Sequence, residues 1–281
     1  MNLLLWTDDP TQERWLGLYE RLAAMGFDGI ELPIFDPDED RFRKLGQRLD
    51  GLGLARTAIT VCNPETDPIA AEPAVRDAAL AALRRAVDCC EASGASLLGG
   101  PLYAAIGQFS GEGPTPEEWQ RSVEVLQQAA DYAGRAGVGL AVEFLNRFEI
   151  YLLNDAVTAA RFAAEVDRPN LGVHYDTFHA HIEEKDPARA IRTAGRSIVH
   201  FHASESDRST PGVGQVRWQE SLAALQAVGY DGWITIEAFG RSLPSLVAAT
   251  KIWRPLFQDE EQLAQQGLAF LRRAWDEASR S

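Results

Sequence analysis

Short apolar runs alternate along the whole chain with longer stretches in which apolar residues recur at helical spacing. Short runs rich in Val, Ile and Leu are typical of buried parallel strands, and a one-sided apolar stripe is typical of the helices that cover them. The runs predict eight strands, at Leu3–Trp6, Gly29–Leu32, Ala55–Cys62, Ser96–Gly99, Gly139–Phe144, Leu171–Tyr175, Ile198–Phe201 and Trp233–Ile236. Helices are predicted at Thr11–Met25, Asp40–Leu52, Ala74–Ser93, from a capping box at Thr115–Glu118, from Asn154 or Asp155 to about Val166, and at Pro187–Ala194, Trp218–Ala227 and Glu260–Ala278. This alternation predicts an α/β protein, a (β/α)8 TIM barrel.

The chain is expected to form a single domain over residues 1–281, a barrel with a C-terminal helical extension, since no linker or low-complexity segment divides it. One helix-to-strand joint occurs twice, as Gly26-Phe-Asp-Gly-Ile-Glu31 and as Gly229-Tyr-Asp-Gly leading to Glu237, which repeated barrel units would require. A doubly wound open sheet is the alternative. Such a sheet usually carries a Gly-rich phosphate loop that opens a helix, whereas Gly99-Gly100 is followed by Pro101.

Each of the last four predicted strands ends on a side chain that can bind a metal. The four are Glu143, Asp176, His202 and Glu237. The carboxyl ends of parallel barrel strands meet on one face, so these side chains are expected to converge. Three carboxylates in close proximity repel one another unless a cation lies between them. A single carboxylate behind a strand is usually a turn former or a helix cap, but four such residues on consecutive strands favour a metal site. Three oxygen donors and one imidazole suit Mn²⁺, Mg²⁺ or Co²⁺ better than Zn²⁺.

Three more polar residues follow these strands closely and are candidates for binding a substrate. They are Glu149, His179 and Arg208. Each of them alone is better explained as part of a surface ion pair. His174 and His181 are not assigned to the site, and alternation along the strand is expected to turn His174 away from Asp176.

Charge and cysteine content narrow the class of protein. Asp and Glu outnumber Lys and Arg by 41 to 27, giving a net charge of −14. Nucleic-acid binding normally needs a basic face, so no nucleic-acid partner is expected. No apolar run is long enough for a membrane helix, and the N-terminal run lacks the basic flank of a signal peptide. The three cysteines form neither a metal-binding spacing nor an even disulfide set, which favours reduced thiols in the cytoplasm.

The chain resembles the D-tagatose 3-epimerase family, which includes D-psicose (allulose) and L-ribulose 3-epimerases and belongs to the xylose isomerase-like barrels. The resemblance is carried by Glu143-Phe-Leu-Asn-Arg-Phe-Glu149, Asp176-Thr-Phe-His179, His202-x-x-Glu205-x-x-Arg208 and Gly229-Tyr-Asp-Gly232 leading to Glu237. It covers nearly the whole chain. The early loops differ from those of better-known members, notably the short Thr7–Pro10 loop.

This resemblance implies a metal-dependent ketose 3-epimerase acting on free keto-sugars of the D-tagatose, D-fructose, D-psicose and L-ribulose type. It implies that Glu143, Asp176, His202 and Glu237 hold Mn²⁺ or a similar ion, and that Glu149, His179 and Arg208 hold the sugar. Glu143 and Glu237 would pass a proton through an enediolate, with no organic cofactor. The resemblance also implies a homo-oligomer, a dimer or a tetramer.

Other activities use the same chemistry on the same barrel. An aldose–ketose or hydroxypyruvate-type isomerase, or an inosose-type dehydratase, also removes a proton beside a metal-bound carbonyl. A sugar-binding protein without turnover is a third interpretation. Binding alone would not require both Glu143 and Glu237, which favours an enzyme.

Overall fold

A computed structural model describes residues 1–280 of the chain. Seven strands form one parallel sheet in chain order: β1 (Gly29–Pro33), β2 (Ala55–Ile59), β3 (Leu97–Gly100), β4 (Gly139–Glu143), β5 (Leu171–Asp176), β6 (Ile198–Ala203) and β7 (Ile234–Ile236). The α-helices are α1 (Leu16–Met25), α2 (Glu39–Leu52), α3 (Pro73–Ser93), α4 (Pro116–Arg135), α5 (Ala156–Val166), α6 (Thr177–Glu183), α7 (Pro187–Ala194), α8 (Trp218–Ala227), α9 (Pro244–Thr250) and α10 (Glu260–Ala278). The predicted TIM barrel is confirmed.

The first predicted strand, Leu3–Trp6, is wrong, because Leu3–Leu5 form a 3-10 helix. The chain enters this helix after only two residues, since the Asn2 side chain accepts a hydrogen bond from Leu4 N at 2.8 Å and caps it. Met1 and Asn2 nevertheless take the place of the eighth strand. Asn2 N donates to Ile236 O at 2.9 Å, and Glu31 N donates to Met1 O at 2.8 Å. These two residues therefore connect β7 to β1 and close the barrel.

Most predicted helices are present, with small shifts at their ends. Thr115 and Glu118 form the predicted capping box at the start of α4. The α5 helix is capped by Asp155, whose carboxylate accepts from Thr158 N at 2.8 Å. The predicted helix at Thr11–Met25 is shorter as an α-helix, since it begins with a 3-10 turn at Glu13–Trp15. The short helices α6 and α9 were not predicted.

Within residues 1–280, every α-helix except α9 contains buried residues. The spacing predicts that Trp119, Val123, Leu126, Ala130 and Ala133 of α4 face the sheet; the last four are buried, whereas Trp119 is only partly buried. Leu126 is fully buried, and burying a leucine side chain contributes about 1.5–3 kcal/mol to stability. The three cysteines are free and buried.

The helix-to-strand joint that occurs twice in the sequence has one copy on each side of the place where the barrel closes. Gly26 ends α1 with φ of 91°, and Gly229 follows α8 with φ of 72°. Both conformations suit glycine, which has no Cβ to clash in the left-handed region. One joint feeds β1, which contains Glu31, and the other feeds β7, which Glu237 follows. No helix within residues 1–280 is long and apolar enough to cross a membrane.

Candidate metal and catalytic site

The four predicted metal ligands lie together at the carboxyl ends of the strands. Glu143 and Asp176 are the last residues of β4 and β5. His202 lies one residue before the end of β6, and Glu237 directly follows β7. One donor atom from each lies within 4.8 Å of the donor atoms of the other three. All four side chains are buried, and the cluster is able to hold a metal ion.

The Nδ1 atom of the His202 ring is suited to bind a metal. This atom is buried, and no hydrogen-bond partner for it is present among residues 1–280. It lies 3.3 Å from Glu237 Oε1 and 3.6 Å from Asp176 Oδ2. A buried imidazole nitrogen facing two carboxylates is suited to ligate a cation between them. The donor set of three carboxylates and one imidazole therefore fits a divalent ion.

The buried charges shift the ionisation of these groups in different directions. Burial, together with the nearby Glu237, raises the pKa of Glu143 well above its usual value. Burial by itself would lower the pKa of His202, but the adjacent Glu31 and Glu237 carboxylates raise it well above its usual value. Burial would raise the pKa of Asp176, yet the Arg208 guanidinium and the His202 ring hold it well below its usual range. A bound divalent cation would favour the ionised carboxylates further.

Arg208 reaches into the cluster from the loop after β6. Its Nη1 atom donates to Asp176 Oδ2 at 3.0 Å and to Glu237 Oε2 at 2.6 Å. Its guanidinium carbon lies 4.0 Å from the centroid of the Phe178 ring and 4.8 Å from that of Phe239. Its backbone φ of 65° is in the left-handed region, which costs a residue with a side chain on the order of 1–3 kcal/mol. The loop therefore holds this cation at a defined position beside two candidate ligands.

The other two predicted substrate-binding residues connect to Arg208 through hydrogen bonds. His179 Nε2 lies 3.0 Å from Arg208 Nη2, and His179 Nδ1 accepts from Asn146 N at 3.0 Å. The Asn146 amide donates to Glu149 Oε1 at 2.7 Å. Burial and the Arg208 charge lower the pKa of His179 to about 3, so its ring is neutral near pH 7. The structure thus places Glu149, His179 and Arg208 along one side of the cluster.

Glu31 and His200 belong to the same interior and were not predicted. Glu31, in β1, accepts a hydrogen bond from His202 Nε2 at 2.6 Å and from His200 Nε2 at 2.7 Å. Both histidines and Glu31 are fully buried. The signal that could have revealed Glu31 is the repeated joint, because the second copy of that joint leads to Glu237.

The expectation that His174 turns away from Asp176 is wrong. Residues two apart on a strand point to the same side, so both face the barrel interior. His174 is fully buried, its Nδ1 atom lies 3.8 Å from Glu143 Oε2, and its ring centroid lies 3.9 Å from that of His202. The β5–β6 pairing shifts register after Val173, and His174 pairs with His200 while Asp176 pairs with His202. His181, in α6, is exposed.

Comparison with known proteins identifies the family. The sequence model of the xylose isomerase-like TIM barrel family matches residues 19–274. The chain belongs to this family. It is 31% identical to an L-ribulose 3-epimerase from Methylomonas sp. (strain DH-1) over 276 residues, which cover 98% of this chain and 96% of that protein. It is 33% identical to a ketose 3-epimerase from Arthrobacter globiformis over 271 residues, covering 96% of this chain and 93% of that protein.

Solved structures show the same relationship. A structure of an L-ribulose 3-epimerase superposes with a TM-score of 0.92 at 31% identity, covering 100% of this chain and 95% of that one. A D-allulose 3-epimerase from Methylomonas sp. in complex with D-allulose superposes with a TM-score of 0.91 at 31% identity, covering 97% and 95%. The chain is therefore a xylose isomerase-like barrel, and the proteins similar to it over nearly its full length include ketose 3-epimerases.

Proposed function

We propose that this chain is a metal-dependent ketose 3-epimerase, an isomerase that inverts the configuration at C3 of a free keto-sugar. Glu143, Asp176, His202 and Glu237 are its proposed metal ligands. The observation that carries this proposal is the buried pair Glu143 and Glu237 inside a cation-binding cluster, in a chain similar along nearly its full length to ketose 3-epimerases.

Glu143 and Glu237 are the proposed proton-transfer pair. They come from β4 and from the end of β7, so they reach the cluster from different parts of the barrel wall. Their surroundings differ. Glu237 accepts from Arg208 Nη1 at 2.6 Å and from Asn2 Nδ2 at 3.0 Å. Glu143 lies 3.8 Å from a ring nitrogen of each of His174 and His179, and its pKa is raised by burial. Two carboxyl groups with different environments suit paired acid and base roles.

The remaining residues orient the sugar and the developing charge. A divalent metal in the cluster would supply Lewis-acid polarisation of the sugar carbonyl. One glutamate removes the C3 proton and the other returns a proton to the opposite face. Arg208 is placed to donate to oxygen atoms on which negative charge develops, and His179, which lies beside it, is a proposed sugar-binding residue. Glu149, held by Asn146, accepts from a sugar hydroxyl group.

We propose Mn²⁺ as the metal, with Mg²⁺ or Co²⁺ as substitutes, because three carboxylates and one imidazole form a donor set that suits these ions. The free, buried cysteines suit a reducing compartment, and we propose a cytoplasmic enzyme of one domain.

A homo-oligomer, dimer or tetramer, is proposed from the resemblance. Its contact is proposed at the segment around Trp253, a residue that is 66% exposed, and sedimentation of the Trp253→Ala variant tests it.

The experiment that tests the activity follows deuterium into the product. The chain is supplied with Mn²⁺ in D₂O and offered D-fructose, D-psicose, D-tagatose and L-ribulose, and NMR locates deuterium at each carbon. We expect deuterium at C3 with inversion, and a loss of at least about 10²-fold in rate for Glu237→Gln, in the range for removal of a general acid or base. Glu183→Gln is a matched control, since Glu183 pairs with Arg147 at the end of α6. That variant should keep its activity.

Other outcomes point to other members of the barrel group. Deuterium at C1 with an aldose product would replace the epimerase by an aldose–ketose isomerase. An unchanged rate for Glu237→Gln would remove this residue from the proton-transfer pair. Binding of metal and sugar without exchange at any carbon would favour a sugar-binding protein.

A further inference from the structure

Glu31 lies beneath the candidate metal site, in the barrel interior, and its carboxylate is fully hydrogen-bonded. Its Oε1 atom accepts from His202 Nε2 at 2.6 Å and from Asn2 Nδ2 at 3.1 Å. Its Oε2 atom accepts from His200 Nε2 at 2.7 Å and from Thr57 Oγ1 at 2.7 Å. A carboxylate has about four acceptor positions, and here all of them are used. The side chain is 0% exposed, so neither solvent nor substrate reaches it.

These contacts determine how His202 presents itself to the cluster. An ionised carboxylate can only accept hydrogen bonds, so the Nε2 atom facing Glu31 carries a proton. The other ring nitrogen, Nδ1, faces Glu237 and Asp176 at 3.3 and 3.6 Å. When the hydrogen bond at one ring nitrogen of a histidine is fixed, the other nitrogen is left as the one that can ligate a metal.

Asn2 extends the same support to Glu237. Its Oδ1 atom accepts from Leu4 N at 2.8 Å, which sets the orientation of the amide, because only the oxygen can accept. The Nδ2 atom then donates both to Glu31 Oε1 at 3.1 Å and to Glu237 Oε1 at 3.0 Å. Asn2, one of the two residues that close the barrel, thus connects Glu31 with a proposed catalytic carboxylate.

We propose that Glu31 is a positioning residue of the metal site, which holds His202 with Nε2 protonated and Nδ1 directed at the metal, and which steadies Glu237 through Asn2. The proposal rests on the proposed function, since it assumes that His202 and Glu237 are metal ligands. Glu31 touches neither the substrate nor the reacting atoms, and it acts through these two side chains. Its effect is therefore on metal affinity first and on turnover second.

The first test measures Mn²⁺ binding by calorimetry in the wild-type chain and in Glu31→Gln. Glutamine keeps the size of the side chain, but its NH₂ group faces donors where an oxygen accepted. We expect Mn²⁺ affinity to fall by about 10- to 100-fold, the range seen when a group behind a metal-bound histidine is removed. At saturating Mn²⁺ the loss in kcat/KM should be smaller than the loss in kcat/KM at limiting Mn²⁺. Asp28→Asn is the matched control, since Asp28 is exposed just before β1, and it should bind Mn²⁺ like the wild type.

The second test needs no variant of Glu31 and so remains valid if Glu31→Gln does not fold. In the ¹⁵N-histidine-labelled wild-type chain loaded with Mg²⁺, NMR reports the protonation of each ring nitrogen, and loss of a signal in His202→Gln assigns that residue. We expect His202 to carry a proton on Nε2 and none on Nδ1. A ring that bound the ion through Nε2 would instead carry its proton on Nδ1, which is incompatible with a hydrogen bond from Nε2 to Glu31.

The outcomes separate this proposal from the proposed function. A folded Glu31→Gln chain with wild-type Mn²⁺ affinity, or a His202 ring protonated on Nδ1, would overturn the role of Glu31 alone. A wild-type chain that binds neither Mn²⁺ nor Mg²⁺ would overturn the metal site itself and the role of Glu31 with it.

Discussion

At the scale of single residues, Asp176 shows how one carboxylate joins the backbone to the site. Its Oδ1 atom caps α6, accepting from Phe178 N at 2.6 Å and from His179 N at 3.1 Å. Its Oδ2 atom accepts from Ser204 Oγ at 2.8 Å and from Arg208 Nη1 at 3.0 Å. A helix N-terminus favours negative charge, so the cap also stabilises the ionised form. The same carboxylate therefore orients His179 and faces the proposed metal.

Glu205 offers a test of how the Arg208 loop is held. Its buried carboxylate accepts from Ser206 N, Gly212 N, Val216 N and Trp218 Nε1, at 2.8 to 3.1 Å. We expect Glu205→Gln to lower the free energy of unfolding by about 1–3 kcal/mol at pH 7, because at least one buried donor loses its acceptor. Urea unfolding measures this, and KM for the sugar should rise with the displacement of Arg208.

The difference in free energy of unfolding between the wild type and Glu205→Gln should depend on pH, and the direction of the Glu205 pKa shift gives its sign. Burial by itself would raise the pKa of Glu205, but the hydrogen bonds from Ser206 N and Trp218 lower it below its ordinary value of 4.5. The stabilisation is therefore fully present above pH 4.5 and is lost as the pH falls through the folded-state value. Wild-type and variant stabilities should converge in acid. A constant difference down to pH 3 would contradict this account.

At the scale of elements, the strands approach one another too closely for side chains at some positions. Gly100 ends β3 with φ of 122°, and a Cβ atom there would lie 2.2 Å from Thr60 O. Gly100 directly follows Gly99, which pairs with β2. The absence of a side chain at Gly99 leaves room for the His174 ring. The small residues at the end of β3 therefore allow the polar interior under the site to form.

We expect Gly100→Ala to destabilise the barrel by more than about 2 kcal/mol, since both the positive φ and the contact with backbone oppose a side chain. Gly51→Ala is the matched control. Gly51 lies within α2 with nothing within 4 Å of an added Cβ, so this change should stabilise the chain by about 0.5–1 kcal/mol through helix propensity. Thermal and urea unfolding of both variants compare the two. Equal effects would show that close packing at β3 is unimportant.

At the scale of the whole molecule, buried charged side chains are concentrated in and beneath the candidate metal site. Glu31, Glu143, Asp176 and Glu237 are all 6% exposed or less; Arg208 donates to Asp176 and Glu237, and the His202 ring contacts Glu31. Burying charges requires partners, and a divalent ion would be a further one. The stability of the whole chain should therefore depend on metal.

We expect Mn²⁺ at 100 times its Kd to raise the free energy of unfolding by about 2.7 kcal/mol, as linkage requires for a ligand that binds only the folded chain. For a chain of this size that corresponds to a rise in Tm of roughly 5–10 °C over the EDTA-treated protein. Thermal unfolding followed by circular dichroism measures both samples. Asp176→Asn should show a smaller rise, and an equal rise in both proteins would mean that the ion binds elsewhere.

The sequence by itself determined the alternation of strands and helices and the residues at the carboxyl ends of the last four strands. These are local properties, because hydrophobic periodicity and the residue that follows a strand can be read from neighbours in the chain. The convergence of Glu143, Asp176, His202 and Glu237 followed from the barrel fold, because parallel strands present their ends on one face.

Only the tertiary structure decided how the barrel closes and what lies beneath the site. The leucines after Asn2 have the composition of a strand, but the Asn2 cap and the contacts with β1 and β7 turn them into a 3-10 helix. Glu31 meets His202 across 171 residues of chain, a contact that no local pattern encodes. The side of the strand on which His174 lies follows from alternation and could have been read from the sequence, whereas its pairing with His200 depended on the register shift between β5 and β6. Such contacts arise from packing between distant elements, so they require the folded chain.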